Sequence, residues 1–208
     1  MGKHCSTAFS LLFISVILAT AIADRCQVVL LNRCKAVYQE ALDASSKGEG
    51  GHCFRLQKMV TCLASEPKCG GQLIEKFRYW MLQMAMMDNI LGICKDIDFS
   101  KLKEGVQESD VAKTHRFLDD VEYDTFDACA VTVHRECVRY YVTLLMKDRQ
   151  FCGDAEKLNK CYDLYSSNIK CQAKIIKDFA HMVQDVAQSV LRLLSGYLKS
   201  LCTSSKEL

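Results

Sequence analysis

Thirteen cysteines lie in a chain of 208 residues, and their spacing constrains the fold more than any other feature. Cys5 stands apart near the amino terminus. The other twelve form two sets: Cys26, Cys34, Cys53, Cys62, Cys69 and Cys94, then Cys129, Cys137, Cys152, Cys161, Cys171 and Cys202. Successive steps are 8, 19, 9, 7 and 25 in the first set and 8, 15, 9, 10 and 31 in the second. The 8 and the 9 recur, and the variable steps fall where loops or helix ends belong. Superposing the sets also aligns Val28 with Val131, Tyr38 with Tyr141, Leu42 with Leu145 and Lys58 with Lys157. This pattern predicts an internal repeat of a six-cysteine unit.

The compartment follows from the first residues. Lys3 and His4 precede an uncharged run from Ala8 to Ile22, which closes on Ala21-Ile22-Ala23. A basic start, an apolar core and small residues before the cut define a secretory signal peptide over residues 1–23. The core is shorter than the roughly 20 residues a membrane span needs. Cleavage removes Cys5 and leaves an even number of cysteines in an oxidising environment, so six disulfides are expected. Zinc sites use closer pairs such as C-x2-C, whereas the nearest pair here, Cys62 and Cys69, has six residues between its members. The ending Lys206-Glu207-Leu208 departs from the retention signal, with Lys206 where an acid belongs, so the chain is expected outside the cell. No later segment has the length and apolarity of a membrane span. A net charge of +2 gives no field to draw nucleic acid.

Apolar residues between the turn signals recur at helical period, and the sequence predicts an all-α, disulfide-stabilised protein of two tandem three-helix units, each with six cysteines. The first unit covers residues 24–95, with helices near 25–45, 53–65 and 72–94. Residues 96–122, polar and without cysteine, read as a linker with one short helix. The second unit covers residues 123–208, with helices near 124–148, 154–165 and 168–202. The last has the clearest period, through Ile175, Phe179, Met182, Val186, Val190, Leu194, Tyr197 and Leu201.

Heights along antiparallel helices select a disulfide pairing. Cys34 lies about 12 Å above Cys26 on an upward helix, and Cys62 about 13 Å below Cys53 on the descending one. The third helix starts low at Cys69 and ends high at Cys94. Since bridged Cα atoms lie within about 7 Å of each other, matching heights pairs Cys26 with Cys69, Cys34 with Cys62, and Cys53 with Cys94. The repeat then pairs Cys129 with Cys171, Cys137 with Cys161, and Cys152 with Cys202.

Chemistry has few candidates. The histidines that survive cleavage, His52, His115, His134 and His181, form no metal-binding pair. His134-Arg135-Glu136-Cys137 is similar to the histidine-to-cysteine spacing of secreted phospholipases A2. It lacks the Asp after the His, the preceding paired Cys and a glycine-rich calcium loop, so His134 is expected on a helix surface. Asp120, Glu122 and Asp124 fit the first positions of a calcium loop, but Thr125 and Val131 stand where Gly and Glu belong. Asp124 and Asp127 read instead as caps of the fourth helix. No nucleophile elbow, P-loop or dinucleotide motif occurs, so neither an enzyme nor a cofactor is expected.

Two features remain. Trp80, Met81, Met84 and Met87 make an apolar stretch, which is either core or the wall of a site for a small apolar ligand. Lys170, Lys174 and Lys177 make a basic start to the last helix, either solvated or a contact face for an acidic partner. The expected function is binding of an extracellular protein through a rigid helical surface, as in a venom-type effector, a body-fluid protein or a matrix protein. The alternative is an extracellular carrier of a small apolar ligand.

Overall fold

A computed structural model describes residues 5–48, 50–123, 128–148 and 151–197. Among them the chain is all helical, with no strand. The first three helices are α1 (Cys5–Ser46), α2 (His52–Ala64) and α3 (Gln72–Ile90). Two short ones follow, α4 (Ser100–Gln107) and α5 (Asp110–Thr114), then a 3-10 turn (Leu118–Asp120). The last three are α6 (Ala128–Asp148), α7 (Phe151–Asn168) and α8 (Lys174–Tyr197). None of these is long and apolar enough to cross a membrane.

The predicted faces are the buried ones. Leu30, Cys34 and Ala41 of α1, Leu56, Val60 and Leu63 of α2, and Ile175, Phe179, Val186 and Val190 of α8 all lie in the core. Five disulfides link Cys26 to Cys69, Cys34 to Cys62, Cys53 to Cys94, Cys129 to Cys171 and Cys137 to Cys161. Each is a pair that height matching selects. Cys202 falls outside the described residues, and so does its pairing with Cys152. The proposed caps Asp124 and Asp127 lie outside them too.

Three expectations need correction. The third helix stops at Ile90 rather than near 94. Gly92 adopts a left-handed φ of 67°, the Gly92 amide bonds back to the Asn89 carbonyl at 2.9 Å, and the Ile93 amide to the Asp88 carbonyl at 2.9 Å. That closing pattern needs a residue free to take positive φ, and Gly92 supplies it. The last helix starts at Lys174 rather than near 168, because Lys170 takes a φ of 55° and breaks the helical run. Residues 96–122 are also more than a linker. Leu102, Val106, Val111, Phe117 and Leu118 are buried, and the segment folds over α2 and α3.

α3 is the centre of the molecule. Of its 19 residues, 13 are buried. It packs against α2, α4, α5, the 3-10 turn and α8, so most of its surface is covered, with Gln72 exposed at its start. Its start is held from outside: Gln27 of α1 turns its Oε1 onto the amides of Leu73 and Ile74, at 3.1 and 3.2 Å. Gly71 makes room for this. It sits at φ 123°, and a Cβ there would come within 2.5 Å of the Gln27 amide.

Candidate functional site

A helix with most of its residues buried must find partners for its buried polar groups inside the protein. α3 carries three, about a turn or more apart. Arg78 donates to the carbonyls of Leu63 (3.0 Å), Cys69 (2.7 Å) and Glu66 (2.6 Å), and so ties down the turn between α2 and α3. Burial lowers its guanidinium pKa, against the attraction of Glu75 and Glu66. Gln83 accepts from the Leu118 amide at 3.0 Å and donates to the Arg116 carbonyl at 3.3 Å. Tyr79, one turn earlier, donates its hydroxyl to the same carbonyl.

The third, Asp88, makes the most unusual constellation in the protein. Its Oδ2 faces His52 Nε2 at 2.8 Å, and its Oδ1 faces His134 Nε2 at 3.1 Å. On the far side of His134, Nδ1 lies 2.8 Å from the Tyr162 hydroxyl. Phe179 packs edge-on to His134, with ring centroids 6.3 Å apart. α2, α3, α6, α7 and α8 each give one side chain, so the cluster joins the two halves of the molecule. Asp88 and His134 are 0% exposed and Tyr162 1%, while the His52 side chain keeps 23%. The expectation of a surface His134 is therefore wrong. One face of α6 meets both Asp88 and Tyr162, and helical period alone does not tell a buried imidazole from an exposed one.

The electrostatics agree with this geometry. Burial pushes the Asp88 carboxyl up, but the attraction and hydrogen bond of His134 and those of His52 outweigh it and hold the group well below the usual carboxylate range. Burial, then the nearby Asp88, pushes the Tyr162 hydroxyl far above its usual value.

The order carboxylate, imidazole, hydroxyl is that of a nucleophilic triad, in which the base takes the hydroxyl proton. Here the hydroxyl has no approach for a substrate. A groove of about 340 Å³ along α7 and α8 has Tyr162 in its wall, yet Tyr162 shows solvent only its 1%. His52, Asp88 and Cys94 have potential ligand atoms within 4.8 Å of one another, but Cys94 is bonded to Cys53 and offers no thiolate, so this group does not form a three-ligand site.

The structure places the other singled-out residues as follows. Trp80, Met84 and Met87 are buried and Met81 half-buried. Trp80, Met81 and Met84 line a narrow apolar cleft between the two halves, with Tyr38, His52 and Tyr141 also in its walls. The cleft encloses only about 40 Å³. Trp80 Nε1 is buried without a hydrogen-bond partner, a condition that costs about 1–3 kcal/mol. The lysines do not form one free basic face. Lys174 pairs with Asp178 at 2.9 Å and lies over the Tyr123 ring, while Lys177 donates to Gln172 at 2.5 Å. Lys170 is exposed just before α8. Lys174 and Asp178 border an open polar groove of about 580 Å³ that also takes in Tyr79, Arg116 and Asp185.

Sequence reasoning missed Asp88, His52 and Tyr162 as partners of His134. The one available signal was an acid, Asp88, closing the apolar run of Met81 to Met87.

The fold and cluster define a disulfide-stapled, all-helical protein with a polar lock at its centre. No known protein family matches the chain, and no curated protein or solved structure is similar to it.

Proposed function

We propose that this is a secreted, non-enzymatic binding protein, delivered by the signal peptide at residues 1–23 and acting on another extracellular protein through a rigid helical surface. One observation carries the reading: the only triad-like array among the described residues, Asp88, His134 and Tyr162, is sealed in the core. It joins five helices rather than meeting a substrate. The disulfides add support, since cross-links of this density suit a protein that works outside cells. The tandem arrangement belongs to the same reading, because every bridge among the described residues stays within 24–95 or within 123–208.

The test is expression of the full chain in secreting cells. The expected product is in the medium, oxidised, and begins at Asp24. It binds extracellular material from its source saturably, and His134→Gln leaves that binding unchanged. Product that keeps Met1 overturns secretion. A hydrolytic turnover that His134→Ala abolishes, with the helical signal intact, overturns the non-enzyme reading.

A second reading, an extracellular carrier of a small apolar ligand, is favoured by the partnerless indole N–H of Trp80 beside the apolar cleft.

A further inference from the structure

Two arginines are buried among the described residues, and their surroundings differ. Arg78 donates to three carbonyls. Arg55 of α2, 8% exposed, forms no ion pair among the described residues, and its Nε is sealed from water without a hydrogen-bond partner. The acid buried on α3 does not balance it, because Asp88 is held by His134 and His52. A buried lysine or carboxyl escapes such a position by becoming neutral. A guanidinium cannot, since it keeps its proton throughout the range in which proteins fold. Arg55 is therefore a fixed positive charge with no carboxylate of the described residues paired to it.

The polar group beside it is a second donor. The Tyr38 hydroxyl of α1 adjoins the guanidinium. Burial raises the pKa of that hydroxyl, against the pull of Arg55, so it keeps its proton. A phenol oxygen that accepts from an arginine still has its O–H to donate. Of these donors only Nε is both buried and unpartnered, so the terminal nitrogens of Arg55 and the Tyr38 hydroxyl stay within reach of a small ion.

We propose that Arg55 and Tyr38 form a binding site for a small carboxylate. The site goes beyond both functional readings above and depends on neither. A single guanidinium carries one positive charge, which a monoanion balances. Its two terminal nitrogens present parallel N–H groups spaced for the two oxygens of a carboxylate. The Tyr38 hydroxyl adds a third hydrogen bond. With only 8% of Arg55 exposed, the ion that reaches it is small.

The test titrates the full oxidised protein with sodium acetate, against sodium chloride at equal ionic strength, and follows the arginine side-chain N–H signals by nitrogen-15 NMR. The expected result is a saturable shift of the Arg55 Nε–H signal, assigned through its bonds to the backbone, while that of Arg78 stays in place. Acetate should also raise the thermal midpoint above its value in chloride. Tyr38→Phe should weaken acetate binding at least about tenfold, the worth of one hydrogen bond to a charged acceptor. Arg55→Gln should abolish the response. If that variant fails to fold, the contrast between Arg55 and Arg78 in the unaltered protein decides. No saturable shift at Arg55 overturns the site, and sulfate binding as tightly as acetate overturns the carboxylate class.

Discussion

α3 and α8 occupy corresponding places after the second cysteine pair of each set, yet they solve opposite problems. α8 has one buried stripe, Ile175, Ile176, Phe179, Val183, Val186, Ala187 and Val190, and leaves Lys177, His181, Gln184, Asp185 and Gln188 to solvent. α3 is buried over most of its surface, and Arg78, Gln83 and Asp88 are buried with it. A polar group on α8 can be satisfied by water. One on α3 must be satisfied by the protein, and each of the three therefore fastens a distant segment: the α2–α3 turn, the 116–118 strap, and the two histidines. The lesson is that a polar residue on a central helix acts as a fastener between parts of the chain that no short-range rule connects.

The largest test of that contrast is Asp88→Ala. It leaves two imidazoles facing an empty space in the core, and removing one partner of a buried charged pair costs about 3–5 kcal/mol. Denaturant unfolding measures the loss. The pH dependence has a definite sign. The folded pKa of Asp88 lies below the unfolded one, so its contribution is complete above about pH 4 and is lost as the pH falls further. Asp88→Asn should make the loss of stability below that pH shallower than in the unaltered protein. An equally steep loss would move the acid sensitivity to other carboxylates.

Next in size come the equivalent bridges of the two halves. Cys34–Cys62 spans 28 residues and Cys137–Cys161 spans 24. The chain-entropy relation gives about 3.5 kcal/mol for each, so removing either pair as a double serine variant should cost the same to within about 0.5 kcal/mol. A clearly unequal loss would show that the halves differ in native-state relaxation, since their loops do not.

The smallest and sharpest comparison sets Gln83→Leu against Asp185→Ala. The first strands the buried amide of Leu118 and should cost about 1–3 kcal/mol. It should also speed hydrogen exchange at 116–120 ahead of the rest of the protein. The second is exposed on α8 and should stay within about 0.5 kcal/mol. Similar costs would erase the distinction between the helices.

Legibility divides along the same line. The turn of α3 at Gly92 was written in the sequence as an isolated glycine after an apolar run, a stop signal that the Cys94 endpoint overrode. Burial of Leu102, Val106 and Leu118 was visible only as scattered apolar residues in a polar segment, too short in period to announce a packed face. Trp80 and the methionines were ambiguous between core and pocket because both look apolar from sequence.

What the sequence determined by itself rests on local geometry: 3.6-residue periodicity set the helices and their buried stripes, and the 1.5 Å rise between cysteines set which heights meet. The tertiary structure decided the rest. His52, Asp88, His134 and Tyr162 are separated by 36, 46 and 28 residues in their contacts. A hydrogen bond between helices depends on the rotation and tilt with which they pack, and those are fixed by the summed fit of the whole core rather than by any spacing within one helix.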